Sequence, residues 1–221
     1  MPPESLREPR QHRARVTREA IMRAAAAEFD DRGYAAASLG AILDRTGVTK
    51  GAFYFHFSSK RDLALAIVRE QAVRWRRLAE EPTTGQDPLT RLLELSDVAL
   101  SLFLGSAEVR AALRLSYERS VVDAGLAVPV PVWEGIVGEQ LRAAQQQGLL
   151  RAEVDPAPAA RVVNDAMVGA RTTTEGVSDS PGLVARVDEM WRLLLPALAV
   201  PAWLQRWRAG AWEDRARPTS G

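Results

Sequence analysis

The segment from Ser38 to Lys60 limits the fold more than any other part of the chain. It divides at Gly47 into two short runs, each opened by a residue suited to cap a helix. Ser38 precedes Leu39, Ile42 and Leu43, which recur at helical spacing, and Thr49 precedes the run Lys50 to Phe57. A Ser or Thr hydroxyl accepts one of the backbone N–H groups that the first turn of a helix leaves unpaired. Gly47 can take the left-handed conformation that ends a helix and turns the chain. Helix, glycine turn and second helix is the layout of a helix-turn-helix, which puts its second helix into the major groove of DNA.

Within the second run, Phe53, Phe55 and Phe57 cannot share one helical face, because neighbours on a face lie three and four residues apart. Phe53 and Phe57 are expected to pack on the first helix near Phe29 and Leu39. Phe55 then packs on the start of a fourth helix or stays partly exposed. This turns Lys50, Gly51 and Tyr54 outward. Lys50 can donate to guanine O6 or N7, while Tyr54 and His56 suit contacts to phosphate. The backbone N–H groups of Thr49, Lys50 and Gly51 lie at a helix start, which favours an anion. Thr17 and Ser38 would grip phosphates at their own helix starts, and Lys60 is a further candidate. The charge distribution fits this reading and a plain solvated surface equally: residues 1–60 hold 10 basic and 7 acidic side chains, against 19 and 21 in residues 61–221. Of the 29 basic residues only two are lysines, Lys50 and Lys60.

The remainder reads as helices. Thr17 is the expected N-cap of a first helix carrying Ile21, Ala25 and Phe29 as far as Gly33. Ser59 and Asp62 approximate a capping box at the head of a fourth helix that runs to about Glu80. A breaker-rich linker follows at Glu81 to Gln86. Asp87-Pro88 opens a fifth helix to about Leu104, and a sixth covers Glu108 to Glu118. Residues 120–131 form a loop; Val132 to Gln147 make a seventh helix stopped by Gly148. Asp155-Pro156 opens an eighth to about Thr174, Pro181 a ninth to about Leu195, and Pro201 a short tail helix with Trp203 and Trp207. No alternating strand pattern occurs, so the fold class is all-α. No apolar run spans a bilayer and the first residues do not read as a signal peptide, so a cytoplasmic protein is expected. There is no cysteine, and the two histidines, His12 and His56, make no metal-ligand cluster. With no phosphate-binding glycine loop and no nucleophile elbow either, the reading is not an enzyme and needs no cofactor.

The run Gly47-Val48-Thr49-Lys50-Gly51-Ala52-Phe53-Tyr54-Phe55-His56-Phe57 closely resembles the recognition-helix signature of the tetracycline-repressor (TetR) family. Ala25-Ala26-Ala27-Glu28-Phe29, Arg32-Gly33-Tyr34, Ser59-Lys60 and Asp62-Leu63 match it as well, so the resemblance covers about residues 15–70. It implies a homodimeric repressor of double-stranded operator DNA. Its parts would be a disordered arm (1–12), a three-helix DNA-binding head (13–58), a helical ligand-binding and dimerisation domain (59–210) and a disordered tail (211–221).

The form Tyr54-Phe55-His56-Phe57 is most similar to the γ-butyrolactone autoregulator receptors of antibiotic-producing bacteria. Pro131-Val132-Trp133-Glu134, Gln147-Gly148-Leu149-Leu150, Val168-Gly169-Ala170-Arg171 and Glu189-Met190-Trp191-Arg192 also look similar. The likeness implies a small effector and a pocket lined by Trp133, with Gln71 on the fourth helix. A threonine that helps hold the ligand in those receptors falls at Ala170, with Thr172 to Thr174 close by. That departure leaves open a pseudo-receptor, or a drug or efflux regulator answering an antibiotic or other hydrophobic molecule. From the residues themselves, an apolar pocket with few polar anchors suits a small, largely apolar ligand. Trp133 and Gln71 would be its donors, with Trp75 and Phe103 as wall. Small apolar residues from Ala159 to Ala170 and the stripe Leu183 to Leu195 would close a four-helix bundle between two subunits; packing within one chain is the competing reading.

Overall fold

Helix signals in the sequence are dense, and the computed structural model, which describes residues 7–81, 85–117, 132–174 and 180–209, contains ten helices among them. They are α1 (Arg7–Ala36), α2 (Leu39–Thr46), α3 (Lys50–His56), α4 (Lys60–Glu80), α5 (Pro88–Gly105) and α6 (Ala107–Tyr117). α7 (Val132–Gln146), α8 (Pro156–Thr172), α9 (Ser180–Leu198) and α10 (Pro201–Ala209) follow. Among the described residues the sole extended pairing is an isolated antiparallel bridge between Leu150 and Ala199. The expected loop at 120–131 and tail at 211–221 lie outside the described residues.

The chain divides into two compact units: residues 1–74 with 106–129, and residues 75–105 with 130–221. This differs from a head of 13–58 followed by a domain of 59–210. Most of α4 and all of α6 belong with the head, because Ala111, Ala112 and Leu115 of α6 complete its apolar core. The other members come from α1 (Ile21, Ala25, Phe29), α2 (Ile42, Leu43), α3 (Phe53), its C-cap Phe57 and α4 (Leu63, Ile67). Polar contacts hold α6 to the corner after α1: Arg110 Nε lies 2.9 Å from Asp30 Oδ2, and Arg114 Nη1 donates to the Asp30 carbonyl at 2.6 Å.

α1 begins ten residues before Thr17, so residues 7–12 of the expected arm are helical. Nothing between Gln11 and Val16 breaks a helix, and Pro9 falls in the first turn, where its missing N–H costs no bond. Gly33, at φ 72°, breaks the helix as its sequence position suggested.

In the second unit α5, α7, α8 and α9 bury Leu92, Leu95, Val137, Leu141, Val163, Met167, Leu183, Val187 and Trp191. Two indoles are tied by hydrogen bonds. Trp191 Nε1 donates to Ser96 Oγ at 2.9 Å, and Trp203 Nε1 donates to Asp87 Oδ1 at 2.9 Å. Asp87 Oδ1 also accepts from the N–H groups of Leu89 and Thr90, both at 3.0 Å, so one carboxylate caps α5 and anchors α10. α9 runs past Pro196 to Leu198, three residues beyond expectation. Proline deletes a donor but not an acceptor, and Ala199 N still donates to the Leu195 carbonyl at 2.8 Å.

Candidate functional site

Both short helices of the head are set by their own caps. Ser38 Oγ accepts from Ala41 N at 3.0 Å and Thr49 Oγ1 from Ala52 N at 3.2 Å. Gly47, at φ 65°, donates its N–H to the Leu43 carbonyl at 2.9 Å. Thr46 Oγ1 accepts from Val48 N at 3.2 Å, closing the turn. α3 is then clamped by Phe53 and Phe57, both buried, with ring centroids 5.9 Å apart. With those rings inward, Lys50, Gly51, Tyr54 and Phe55 are exposed and His56 is half-buried.

Phe55 resolves to the exposed alternative: 79% of its surface is accessible, with its ring edge-on to His56 at 5.1 Å. A Cβ built on Gly51 would meet no atom within 4 Å. Packing in the chain therefore does not require glycine there.

Two of the expected phosphate contacts, Thr17 and Lys60, lie in surroundings other than the expectation assumed. Thr17 lies inside α1 rather than at its start, so no unpaired N–H groups surround it. The Lys60 ammonium donates to the Tyr34 carbonyl at 2.7 Å and the Ala37 carbonyl at 2.8 Å, and sits 4.6 Å from the Tyr34 ring centroid. It clasps the corner between α1 and α2. The capping box at the start of α4 is shifted by one residue: Ser59 Oγ accepts from Asp62 N at 3.1 Å, but the Asp62 carboxylate accepts from Ser58 N at 3.0 Å. Aspartate is one methylene shorter than the glutamate of the usual box, and here its carboxylate takes the N–H of Ser58.

Glu28 follows the helical spacing of Ile21, Ala25 and Phe29 on the first helix. It is wholly buried between Arg32 Nε at 3.6 Å and Arg45 Nη2 at 3.5 Å. An acidic residue in the middle of an apolar stripe was the available signal, since a buried carboxylate needs a cation. Arg45 belongs to α2, so this pair ties the helix-turn-helix to α1.

The effector candidates fall into different surroundings. In the second unit Trp75 and Trp133 are both buried, with centroids 5.9 Å apart and planes at 63°. Trp133 Nε1 is enclosed and has no hydrogen-bond acceptor among the described residues. Phe103 carries the Arg171 guanidinium 5.7 Å from its ring centroid. Ala170 is half-buried, and the nearby hydroxyls are engaged within their own helix. Thr172 Oγ1 donates to Val168 O at 3.0 Å, Thr173 Oγ1 to Gly169 O at 2.7 Å, and Thr174 Oγ1 to Ala170 O at 2.7 Å. Each thus spends its proton on its own helix. Gln71, in the first unit, is 6% exposed and lines a cleft of about 350 Å³ with Glu19, Met22, Arg23, Ile67, Glu70, Arg74 and Glu108. Three carboxylates and two guanidinium groups among those walls suit a polar occupant rather than an apolar one. No group of His, Asp or Glu among the described residues could hold a metal ion, and no helix there is long and apolar enough to cross a membrane.

Two capped helices around a glycine turn, locked from behind by aromatic residues and polar in front, define a helix-turn-helix regulator. The chain belongs to the TetR family of bacterial regulatory proteins. That family's model matches residues 21–67, and the tetracyclin repressor-like C-terminal domain matches residues 93–201. The A-factor receptor protein of Streptomyces griseus is 35% identical over 192 residues, covering 87% of this chain and 67% of the relative. The solved structure of an ArpA-like gamma-butyrolactone receptor is 32% identical with a TM-score of 0.72, covering 89% of this chain and 95% of that one. CprB of Streptomyces coelicolor, solved in complex with its biological operator sequence, is 33% identical with a TM-score of 0.75, covering 91% and 97%.

Proposed function

We propose that the protein is a ligand-responsive repressor that binds a palindromic operator as a homodimer and releases it when a small, largely apolar signalling molecule of the γ-butyrolactone kind binds beside Trp133. The carrying observation is the outward side of α3: Lys50, Gly51 and Tyr54 are exposed while Phe53 and Phe57 hold the helix from behind. Lys50 reads guanine, Tyr54 and His56 hold phosphates, and the starts of α2 and α3 at Ser38 and Thr49 offer N–H groups to the backbone. Similarity to a regulator solved on its operator supports this reading.

Dimerisation sets two copies of α3 about one DNA turn apart, roughly 34–36 Å. Support comes from apolar side chains left outside on α8 and α9: Val162 is 53% exposed and Leu193 is 77% exposed. The effector reading rests on Trp133 Nε1, an enclosed donor that a lactone carbonyl would satisfy. Release requires the effector to prefer the non-binding conformer; a hundredfold preference corresponds to about 2.7 kcal/mol of coupling. The engaged hydroxyls of Thr172 to Thr174 favour a second reading, a pseudo-receptor or drug-responsive regulator whose ligand does not need the donor missing at Ala170.

The test is selection of bound duplexes from a random pool, followed by titration of the complex with a synthetic γ-butyrolactone and, separately, with hydrophobic antibiotics. A palindromic consensus released by the lactone supports the first reading, and release only by an antibiotic supports the second. Failure to enrich any duplex would refute both.

A further inference from the structure

The first turns of α1 are an unexpected feature of the head, and their composition is one-sided. Between Arg7 and Arg18 the sequence carries five arginines and His12 against a single acidic residue, Glu8. The part of this run inside the expected arm, residues 7–12, would be a solvated tail. It is instead continuous helix from Arg7, and no side chain from Gln11 to Ala20 is buried; the first that is fully enclosed is Ile21. The 14 residues from Arg7 to Ala20 extend about 21 Å along the helix axis. From Gln11 to Ala20 no side chain is fully buried, so this stretch gains little stability from packing and its charge pattern needs another explanation.

The place where this segment leaves the core is fixed by Arg18. Its guanidinium lies 5.2 Å from the ring centroid of Phe57, the C-cap of α3. The projecting turns therefore start beside the end of α3 that carries the exposed Phe55 and the half-buried His56. Their charges are lightly held. Arg13 is exposed, and Arg15 meets Glu19 at 3.9 Å and His12 Nδ1 at 3.5 Å, all at the surface. Exposed pairs of this kind contribute little and exchange readily for a phosphate.

We infer that the projecting turns of α1 form a second DNA-contacting element, which grips backbone phosphates flanking the site read by α3. This rests on the DNA-binding reading above and adds a footprint to it. Phosphate contacts position a protein without reading bases, so the element contributes affinity and salt sensitivity but no sequence preference.

The test uses the full chain and the duplex selected for the wild type. The variant Arg13→Gln/Arg15→Gln keeps helix-compatible side chains, and circular dichroism checks that helix content is unchanged. Loss of two phosphate contacts makes the plot of log affinity against log salt shallower by about 1.8, so the affinity gap to wild type shrinks about tenfold between 50 and 200 mM salt. The base consensus stays the same, and hydroxyl-radical footprinting loses protection only at the outer phosphates. An unchanged slope and footprint in the variant, with the wild type binding normally, would overturn the element alone. A changed base consensus would overturn it too, since that would make these side chains readers of sequence. If the wild type binds no duplex, the element falls together with the reading it rests on.

Discussion

Trp133 and Trp191 offer a matched pair of perturbations. Both indoles are buried in the second unit, at 8% and 0% exposure. Trp191 Nε1 donates to Ser96 Oγ at 2.9 Å, whereas Trp133 Nε1 is enclosed without an acceptor. Replacing either by phenylalanine removes the same ring volume and leaves a comparable void. The N–H contributions have opposite signs. At Trp191 a made hydrogen bond is lost, worth about 0.5–1.5 kcal/mol, and Ser96 loses a partner. At Trp133 an unsatisfied donor is relieved, recovering about 1–3 kcal/mol. The Trp191→Phe variant should therefore be less stable than Trp133→Phe by about 1.5–4.5 kcal/mol, or roughly 3–18 °C in Tm for a chain of this size. Thermal unfolding followed by far-ultraviolet circular dichroism avoids the altered fluorescence of the variants. Equal losses of Tm would refute the reasoning, because they would mean that the Trp133 N–H is already satisfied in the free protein. The same variant carries a functional arm: Trp133→Phe should bind operator as wild type does and need a higher lactone concentration for release.

Other positions give shorter predictions. Lys50→Ala should weaken operator binding by about 1–3 kcal/mol and relax base preference at one position of each half-site, read by gel-shift titration against single-base operator variants. Ser38→Ala and Thr49→Ala should each lower stability by about 1 kcal/mol through loss of a cap, read as a fall in the urea midpoint. Lys60→Met should destabilise the head by about 2 kcal/mol through loss of its two carbonyl contacts, yet leave the salt slope of DNA binding unchanged; a slope shallower by about 1 would restore the phosphate role. Leu193→Arg should shift the particle towards a single subunit in light scattering, with operator affinity falling in parallel.

Local features of the fold were legible in the sequence, and long-range ones were not. Ser38, Thr49, Asp87 and Asp155 all cap the helices they precede, and Gly47 takes the left-handed turn, because each such interaction closes within about four residues. Thr17 misled because it has capping chemistry but no need to cap: the residues before it already continue the helix. Lys60 misled for another reason. Its acceptors lie 23 and 26 residues away, at a corner whose geometry depends on Gly33, and an isolated lysine beside a recognition helix gives no hint of them. The same holds for α6, whose amphipathic pattern shows that it buries a face but not which core receives it. At the effector residues, sequence placed the tryptophans on helices without showing that one indole N–H would be enclosed and unpaired.

Those misplacements and the best-supported site residues share a physical logic. A chain selected for stability alone would pair Trp133 Nε1, put a side chain at Gly51, and bury or replace Phe55 and Leu193. Each departure costs free energy in the isolated subunit: an unpaired buried donor, the backbone entropy of a helical glycine, two large apolar groups in water. One lies in the aromatic pair of the second unit, two lie on the outer side of α3, and one lies on α9. Violations of local rules concentrate where a fold meets a partner, and three different chemistries would cure them. A hydrogen-bond acceptor of small size satisfies the indole, the groove of a duplex accommodates a bare backbone and an apolar ring beside thymine methyls, and a second apolar helix covers Leu193. An effector, an operator and a second subunit are the set that a ligand-released repressor requires, and no single one of them accounts for all four positions.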